Sequence, residues 1–430
     1  MIIRNAEIDG KISDVLLANG LIARIGKDLK GDPHFDARGG ALIPGLHDHH
    51  IHLNATAAAM NSVRCGPPEV SGEAELIQAL NKTGEGWLRG VGYHHSVAGE
   101  IDRAWLDENG PNRPIRIQHR SGRLWMLNSL AMSALDITEP ANGRLLDSDI
   151  SLRAKAQFPD LKPLIARLLS YGITGVTEVT PSNGMTEYEN YLREAKPLRV
   201  SIMGRAELSV QQSQHLKLHY HDHDLPALES LAQEMKQAHA AGRNIAAHCV
   251  TRAELMLTLA ALDMAGPIYG DRIEHAAITD DVAIEWMKKL GVIVVTQPNF
   301  IIEREAAYLK DVPIDEHKNL WRLKAFADAG LSVAAGSDAP FGNPDPWAAM
   351  AAAVSRPKGF EGEVVSPEMA LGFYTKPAND AGAQPRRIKI GVPADLCLLD
   401  NSWADARKNL TDVKVQATWV GGELVYNRVD

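Results

Sequence analysis

The chain has 430 residues, 45% of them hydrophobic, enough apolar material for a large buried core. Lysine and arginine number 45 against 54 aspartates and glutamates, a net charge of −9 that disfavours nucleic-acid and anionic-membrane partners. Three scattered cysteines (Cys65, Cys249, Cys397), no signal-like start and no run of about 18 apolar residues predict a cytoplasmic protein without disulfides or membrane spans.

The first 43 residues read as short strands broken by Gly and Asp: MIIRNAEID, KISDVLLAN, GLIARIGKDL and ARGGALIPG. Residues 385–430 behave likewise, with ADLCLLD and VKVQATWVGGELVYN. Neither β-rich end builds a core alone, so residues 1–43 and 385–430 are expected to pair into one small β-sandwich domain.

Between the ends, apolar segments alternate with amphipathic ones. Strands are predicted at ALIPGLHDHHIHL, GITGVTEVT, LRVSIMGRAEL, HLKLHYH, NIAAHCV, RIEHAAI, GVIVVTQPNF and LSVAAGSDAP. Helical patterns separate most of them, such as LPALESLAQEMKQAHAAG ending at Gly242 and VAIEWMKKLG ending at Gly291. Eight strands alternating with helices predict an α/β fold, a (β/α)8 TIM-like barrel over residues 44–384. Residues 55–158 interrupt the rhythm after the first strand. They are expected to form an insertion, a lid on the barrel's catalytic face, with Tyr93, Arg120 and Arg123 on the substrate-covering wall.

The chemistry gathers at strand ends. The first strand ends in His47-Asp48-His49-His50-Ile51-His52, where alternation puts His50 and His52 on one face. Two imidazoles there can grip one metal ion, but His47 and His49 share the spacing, so two registers compete. His248 ends NIAAHCV, His275 ends RIEHAAI and Asp338 ends LSVAAGSD, each at the C-terminal edge of an apolar run where barrel enzymes place reactive groups. Imidazoles with a carboxylate favour Zn2+ or another late first-row divalent ion. Lys217 inside HLKLHYH is either an outward, snorkelling lysine or a buried neutral amine that adds CO2, forming a carbamate able to bridge two cations. His219 is a pocket candidate, and His221 and His223 run on into the following loop.

Pro44-Gly45-Leu46-His47-Asp48-His49-His50-Ile51-His52 resembles the first-strand signature of the amidohydrolase superfamily. Arg272-Ile273-Glu274-His275 and Gly336-Ser337-Asp338-Ala339-Pro340 resemble later motifs of its amidohydrolase 3 (YtcJ-like) branch. So do Gly86-Trp87-Leu88-Arg89-Gly90-Val91-Gly92-Tyr93, Asn128-Ser129-Leu130-Ala131-Met132 and Gly391-Val392-Pro393-Ala394-Asp395-Leu396. The resemblance selects the His50/His52 register and spans nearly the whole chain. It implies that His50 and His52 bind the more buried metal and His248 and His275 a second. It implies too that carboxylated Lys217 bridges them, and that Asp338 both ligates and acts as base. Arg123-Leu124 stands where many relatives carry His-Ser, and the segment after Lys217 lacks their Asp-Gly-Ser-like continuation.

The expected activity is hydrolysis of a C–N bond in a small N-acyl or N-formyl amine by metal-activated hydroxide, with Asp338 as general base and acid. Gln297, Asn299, His219, Arg120, Arg123 and Tyr93 are the expected substrate contacts. Two zinc ions per chain and a homo-oligomeric state are also expected. The alternatives are a mononuclear deaminase or cyclic amidase acting on a heterocycle, or a lyase or isomerase on the same scaffold.

Overall fold

The computed structural model describes residues 1–67, 69–81, 85–121, 124–146 and 158–429. The chain divides into two compact units, Met1–Leu53 with Leu161–Asp430, and Asn54–Asp160. The fold is α/β.

In the larger unit eight strands carry the parallel sheets. They are β1 (Leu46–Ile51), β2 (Ile173–Glu178), β3 (Arg199–Ile202), β4 (His215–Leu218), β5 (Asn244–Cys249), β6 (Arg272–His275), β7 (Ile293–Thr296) and β8 (Val333–Ala335). One sheet has the order β3-β2-β1 and the other β4-β5-β6-β7-β8, with every neighbouring pair parallel. Parallel strands are buried on both faces, so β7 (IVVT) and β8 (VAA) are nearly unbroken apolar runs buried at every position, whereas β1 (LHDHHI), β4 (HLKL) and β6 (RIEH) carry buried polar groups.

Backbone hydrogen bonds also link the two sheets. Gly204 and Leu216 form a parallel bridge between β3 and β4, and Lys217 N–H donates to the Gly204 carbonyl at 3.1 Å. At the other edge Asp338 N–H donates to the His50 carbonyl at 2.7 Å, and His52 N–H to the Ala339 carbonyl at 2.9 Å.

Local sequence explains where the helices stop. The helix Leu228–Ala240 ends just before Gly242, whose φ is +77°, and Asp281–Leu290 ends on Gly291 in the left-handed region. Glycine adopts that conformation without a Cβ clash, so it releases the chain toward the next strand.

The two chain ends build two four-stranded sheets. One runs Leu21–Gly26, Lys11–Ala18, Ile2–Ile8, His34–Asp36, and the other Glu423–Asn427, Val415–Val420, Leu396–Leu399, Leu42–Pro44. Asp9-Gly10 and Asn19-Gly20 join the first three strands with positive φ at both residues, the geometry that suits tight antiparallel hairpins. Ile3, Val15, Ile22, Leu398 and Trp419, one set from each sheet, share one buried apolar cluster.

The smaller unit is a five-stranded sheet in the order Arg144–Leu146, Leu124–Leu127, Ile115–His119, Leu88–Tyr93, Val63–Arg64. Leu76, Leu80, Leu106, Ile115, Ile117 and Met126 form its core. Asn128 secures it by taking the N–H groups of Ile115 and Ala131 on its side-chain oxygen, both at 2.9 Å. No helix among the described residues is long and apolar enough to cross a membrane.

Candidate active site

The C-terminal end of β1 delivers His50 and His52 to Asp338, which follows β8. Asp338 Oδ1 lies 3.4 Å from His50 Nε2 and 3.3 Å from His52 Nε2. Among the described residues these three form the group whose ligand atoms all lie within 4.8 Å of one another. His50 is also the hub of the other rings: the centroid of His275 lies 4.7 Å from it, and His248 is 4.5 Å from His275. His219 is exposed and its ring lies 4.2 Å from His248. His221 and His223 are exposed and stack at 5.4 Å.

Three of the imidazoles, His50, His52 and His275, are aimed by their second nitrogen. His50 Nδ1 meets Glu274 Oε2 at 2.5 Å, His52 Nδ1 meets Thr180 Oγ1 at 2.8 Å, and His275 Nδ1 meets Gln297 Oε1 at 2.7 Å. An oxygen that only accepts places a proton on Nδ1, which leaves Nε2 of both His50 and His275 turned into the site. His50 Nε2 faces the Asp338 oxygen across 3.4 Å. Against the desolvation and the Lys217 charge that lower it, the Asp338 and Glu274 carboxylates raise the His50 imidazole, so positive charge is favoured at this point, whether carried by the ring or by a bound cation.

Burial sets the charge states. Desolvation, with the His50 charge adding to it, pushes the His275 imidazole down to about 3, and burial beside His275 holds His248 well below its usual value. Both are neutral imidazoles, the form that ligates. Burial also lowers the Lys217 ammonium, against the pull of the Glu274 carboxylate. Lys217 is 6% exposed, and its Nζ has no hydrogen-bond partner.

The backbone at the site is strained. His275 and Asp338 have φ of +71° and +51°, left-handed conformations that cost a residue with a Cβ about 1–3 kcal/mol. The surrounding hydrogen bonds hold them there. Asp48 Oδ1 takes the N–H groups of His50 and Ser337, both at 3.0 Å, so one buried carboxylate stitches the end of β1 to the segment carrying Asp338. Burial lifts that carboxyl to about 6, with the hydrogen bonds from Ser337 and His50 opposing the rise.

Other residues singled out in the sequence have local partners. Gln297 is the partner of His275, and its Nε2 is buried without one of its own. Asn299 Nδ2 donates to Glu303 Oε1 at 3.0 Å. Tyr93 belongs to the smaller unit, where it is 2% exposed and its hydroxyl donates to the Gly99 carbonyl at 2.7 Å. Arg120 is an exposed residue of that unit, and Arg123 lies outside the described residues. His47 and His49 do not join the cluster. His47 Nε2 pairs with Thr177 Oγ1 at 2.9 Å, and neither ring nitrogen of the buried His49 has a partner.

Sequence reasoning passed over Glu274, Arg272 and Glu178. Glu274 is wholly buried and receives Arg272 Nε at 2.8 Å and Nη2 at 3.1 Å as well as His50. Glu178 at the end of β2 takes the Thr180 N–H at 2.8 Å and so sets the residue that meets His52. The available signal was a charge of each sign two apart inside an otherwise apolar strand, which demands pairing.

With this geometry in hand, the comparisons with known proteins converge. The amidohydrolase family model matches residues 34–426, and the chain belongs to that family, in its amidohydrolase 3 branch. It is thus a hydrolytic enzyme acting on C–N bonds. The chain is 24% identical to the N-substituted formamide deformylase of Arthrobacter pascens, across 96% of this chain and 95% of that protein. It is 26% identical to the putative amidohydrolase YtcJ of Bacillus subtilis, across 46% of this chain and 40% of that protein. Among solved structures it resembles an uncharacterized metal-dependent hydrolase from Pyrococcus furiosus, with a TM-score of 0.76 at 19% identity, covering 93% of this chain and 98% of the other.

Proposed function

We propose that the protein is a metal-dependent hydrolase that cleaves the amide-type C–N bond of a small N-acyl or N-formyl amine. The observation that carries this reading is the convergence of two imidazoles on one buried carboxylate oxygen, with Asp338 Oδ1 3.4 Å from His50 Nε2 and 3.3 Å from His52 Nε2. The likeness to a formamide deformylase across both full chains supports the substrate class.

The residues fit a divalent cation, zinc or another late first-row ion. In this reading His50, His52 and Asp338 hold one ion, and His248 and His275 hold a second. Lys217, whose amine is buried without a partner, would supply a further ligand as a carbamate, formed by bonding Nζ to the carbon of CO2 with loss of a proton. A cation so held acidifies water and polarises a carbonyl. The protein's own groups supply the rest. Asp338 accepts a proton at its carboxylate and passes it to the departing nitrogen. Glu274 and Gln297 keep His50 and His275 in the tautomer that presents Nε2. His219 and Asn299 are proposed to contact the substrate.

The scaffold of this reading is a closed (β/α)8 barrel over residues 44–384. The backbone bonds from β3 to β4 and from Asp338 and His52 across β8 and β1 support closure. Residues 55–158 are an insertion after β1, and residues 1–43 with 385–430 form a small β-sandwich whose two sheets share a core.

The test is turnover of a panel of N-substituted formamides, N-acyl amines and cyclic amides by zinc-reconstituted enzyme, read as free amine released. Formamide or acyl-amine turnover that chelation abolishes and zinc restores is expected. Full turnover after chelation would sink the metal assignment, and activity confined to cyclic amides would sink the substrate class.

A further inference from the structure

A cavity lies toward the N-terminal ends of the same strands. It has a volume of about 530 Å³, in the range that holds small organic ligands. Its floor comes from the N-terminal edges of the sheet: His47 near the start of β1, Gly175 near the start of β2, and Arg199, the first residue of β3. His47 and His50 are three positions apart, about 10 Å along an extended strand, and the cavity shares no residue with the candidate active site.

Two features of the lining determine what fits. The first is charge. Arg199, Arg386, Arg387 and Lys389 contribute four cations, and Asp395 is the one carboxylate. Asp395 is already neutralised by Arg199, which donates Nε at 2.7 Å and Nη2 at 3.2 Å, and by the Gly421 N–H at 2.7 Å. Arg386 is held by backbone alone, through the carbonyls of Thr375 and Gly45. None of Arg386, Arg387 and Lys389 has an ion pair among the described residues. The second feature is an apolar remainder, Pro44, Pro377, Ala378, Pro385, Ile388 and Val392. A glycine keeps the floor open as well. A Cβ on Gly175 would stand 2.7 Å from His47 Nδ1, so this position leaves the imidazole edge uncovered.

We propose that this cavity binds a small organic anion with an apolar body, its acidic head among Arg386, Arg387 and Lys389 and its body against the proline-rich wall. Unpaired guanidinium groups pair strongly with a planar carboxylate, and the partly enclosed apolar wall rewards a hydrocarbon body over an inorganic ion.

Benzoate is a suitable probe, with benzylamine (a cation near neutral pH) and inorganic phosphate as the cationic-head and body-free contrasts, followed by calorimetry on the full-length protein. Saturable benzoate binding is expected, with no binding of benzylamine near neutral pH and weaker binding of phosphate. Arg387→Gln/Lys389→Gln should weaken benzoate by about tenfold or more, and Ala378→Trp, which fills the cavity, should abolish it. His50→Ala/His52→Ala should bind benzoate as the unaltered protein does, which separates this site from the candidate metal centre. Loss of benzoate binding in that protein, its persistence in both cavity variants, or equal binding of phosphate would overturn the proposal.

Discussion

The two halves of β1 hold the same residue type under opposite conditions. His50 and His52 at its C-terminal end each have one ring nitrogen committed to a neighbouring oxygen and the other turned toward Asp338. The rings of His47 and His49, nearer its N-terminal end, lie 4.5 Å apart and tilted by 55°, with His47 bonded to Thr177 and neither ring nitrogen of His49 bonded. On this strand an imidazole becomes a ligand candidate where one nitrogen is pinned and the other faces a carboxylate. Four histidines within six residues therefore separate by what neighbouring strands bring opposite them. Glu274 and Asp338 reach the first pair, whereas the second pair meets a hydroxyl and another ring.

That contrast is open to direct attack. The largest effect is expected from Asp338→Asn, which removes the carboxylate both histidines face. It should lower kcat by about 10²–10⁴-fold with little change in KM, checked by steady-state kinetics on the best formamide substrate. Next is Glu274→Gln, which leaves His50 Nδ1 only a neutral acceptor and strips the buried Arg272 of its counter-charge. Metal affinity should weaken by about 10–100-fold, and unfolding in urea should show a loss of about 3–5 kcal/mol. Lys217→Met should reduce bound metal from two ions per chain toward one, measured by elemental analysis. Its melting temperature should hold or rise, since a buried amine without a partner gives way to an apolar chain of similar length. In the unaltered protein, intact mass under gentle conditions should exceed the sequence mass by one CO2. The smallest effect belongs to the other half of β1: Thr177→Val removes the bond to His47 and should cost about 1 kcal/mol of stability while kcat stays unchanged. Equal losses of activity from Thr177→Val and Asp338→Asn would erase the distinction between the two halves.

Much of this was legible in the order of residues. Period-2 and unbroken apolar runs alternating with amphipathic segments declare parallel strands and helices, because side-chain burial must follow backbone geometry. Asp-Gly and Asn-Gly pairs declare hairpins, since both positions need a positive φ. Polar residues at the ends of apolar runs mark where chemistry gathers, and the family's motifs stand in plain order along the chain. The groups that aim those residues were not legible. Glu274 comes 224 residues after His50, and Thr180 comes 128 after His52. Nothing local distinguishes them from an ordinary strand acid or loop threonine.

Sequence alone thus determined which segments become strands, which side chains alternate to one face, and which family the chain joins, because each depends on spacing of a few residues. Tertiary structure decided which histidine nitrogen carries a proton and which faces Asp338, and that Lys217 is left with a bare amine. It also decided that the far edge of the same sheet frames a cationic hollow. Those outcomes depend on contacts between residues distant in the chain, and only the folded packing of eight strands brings such residues within hydrogen-bond range.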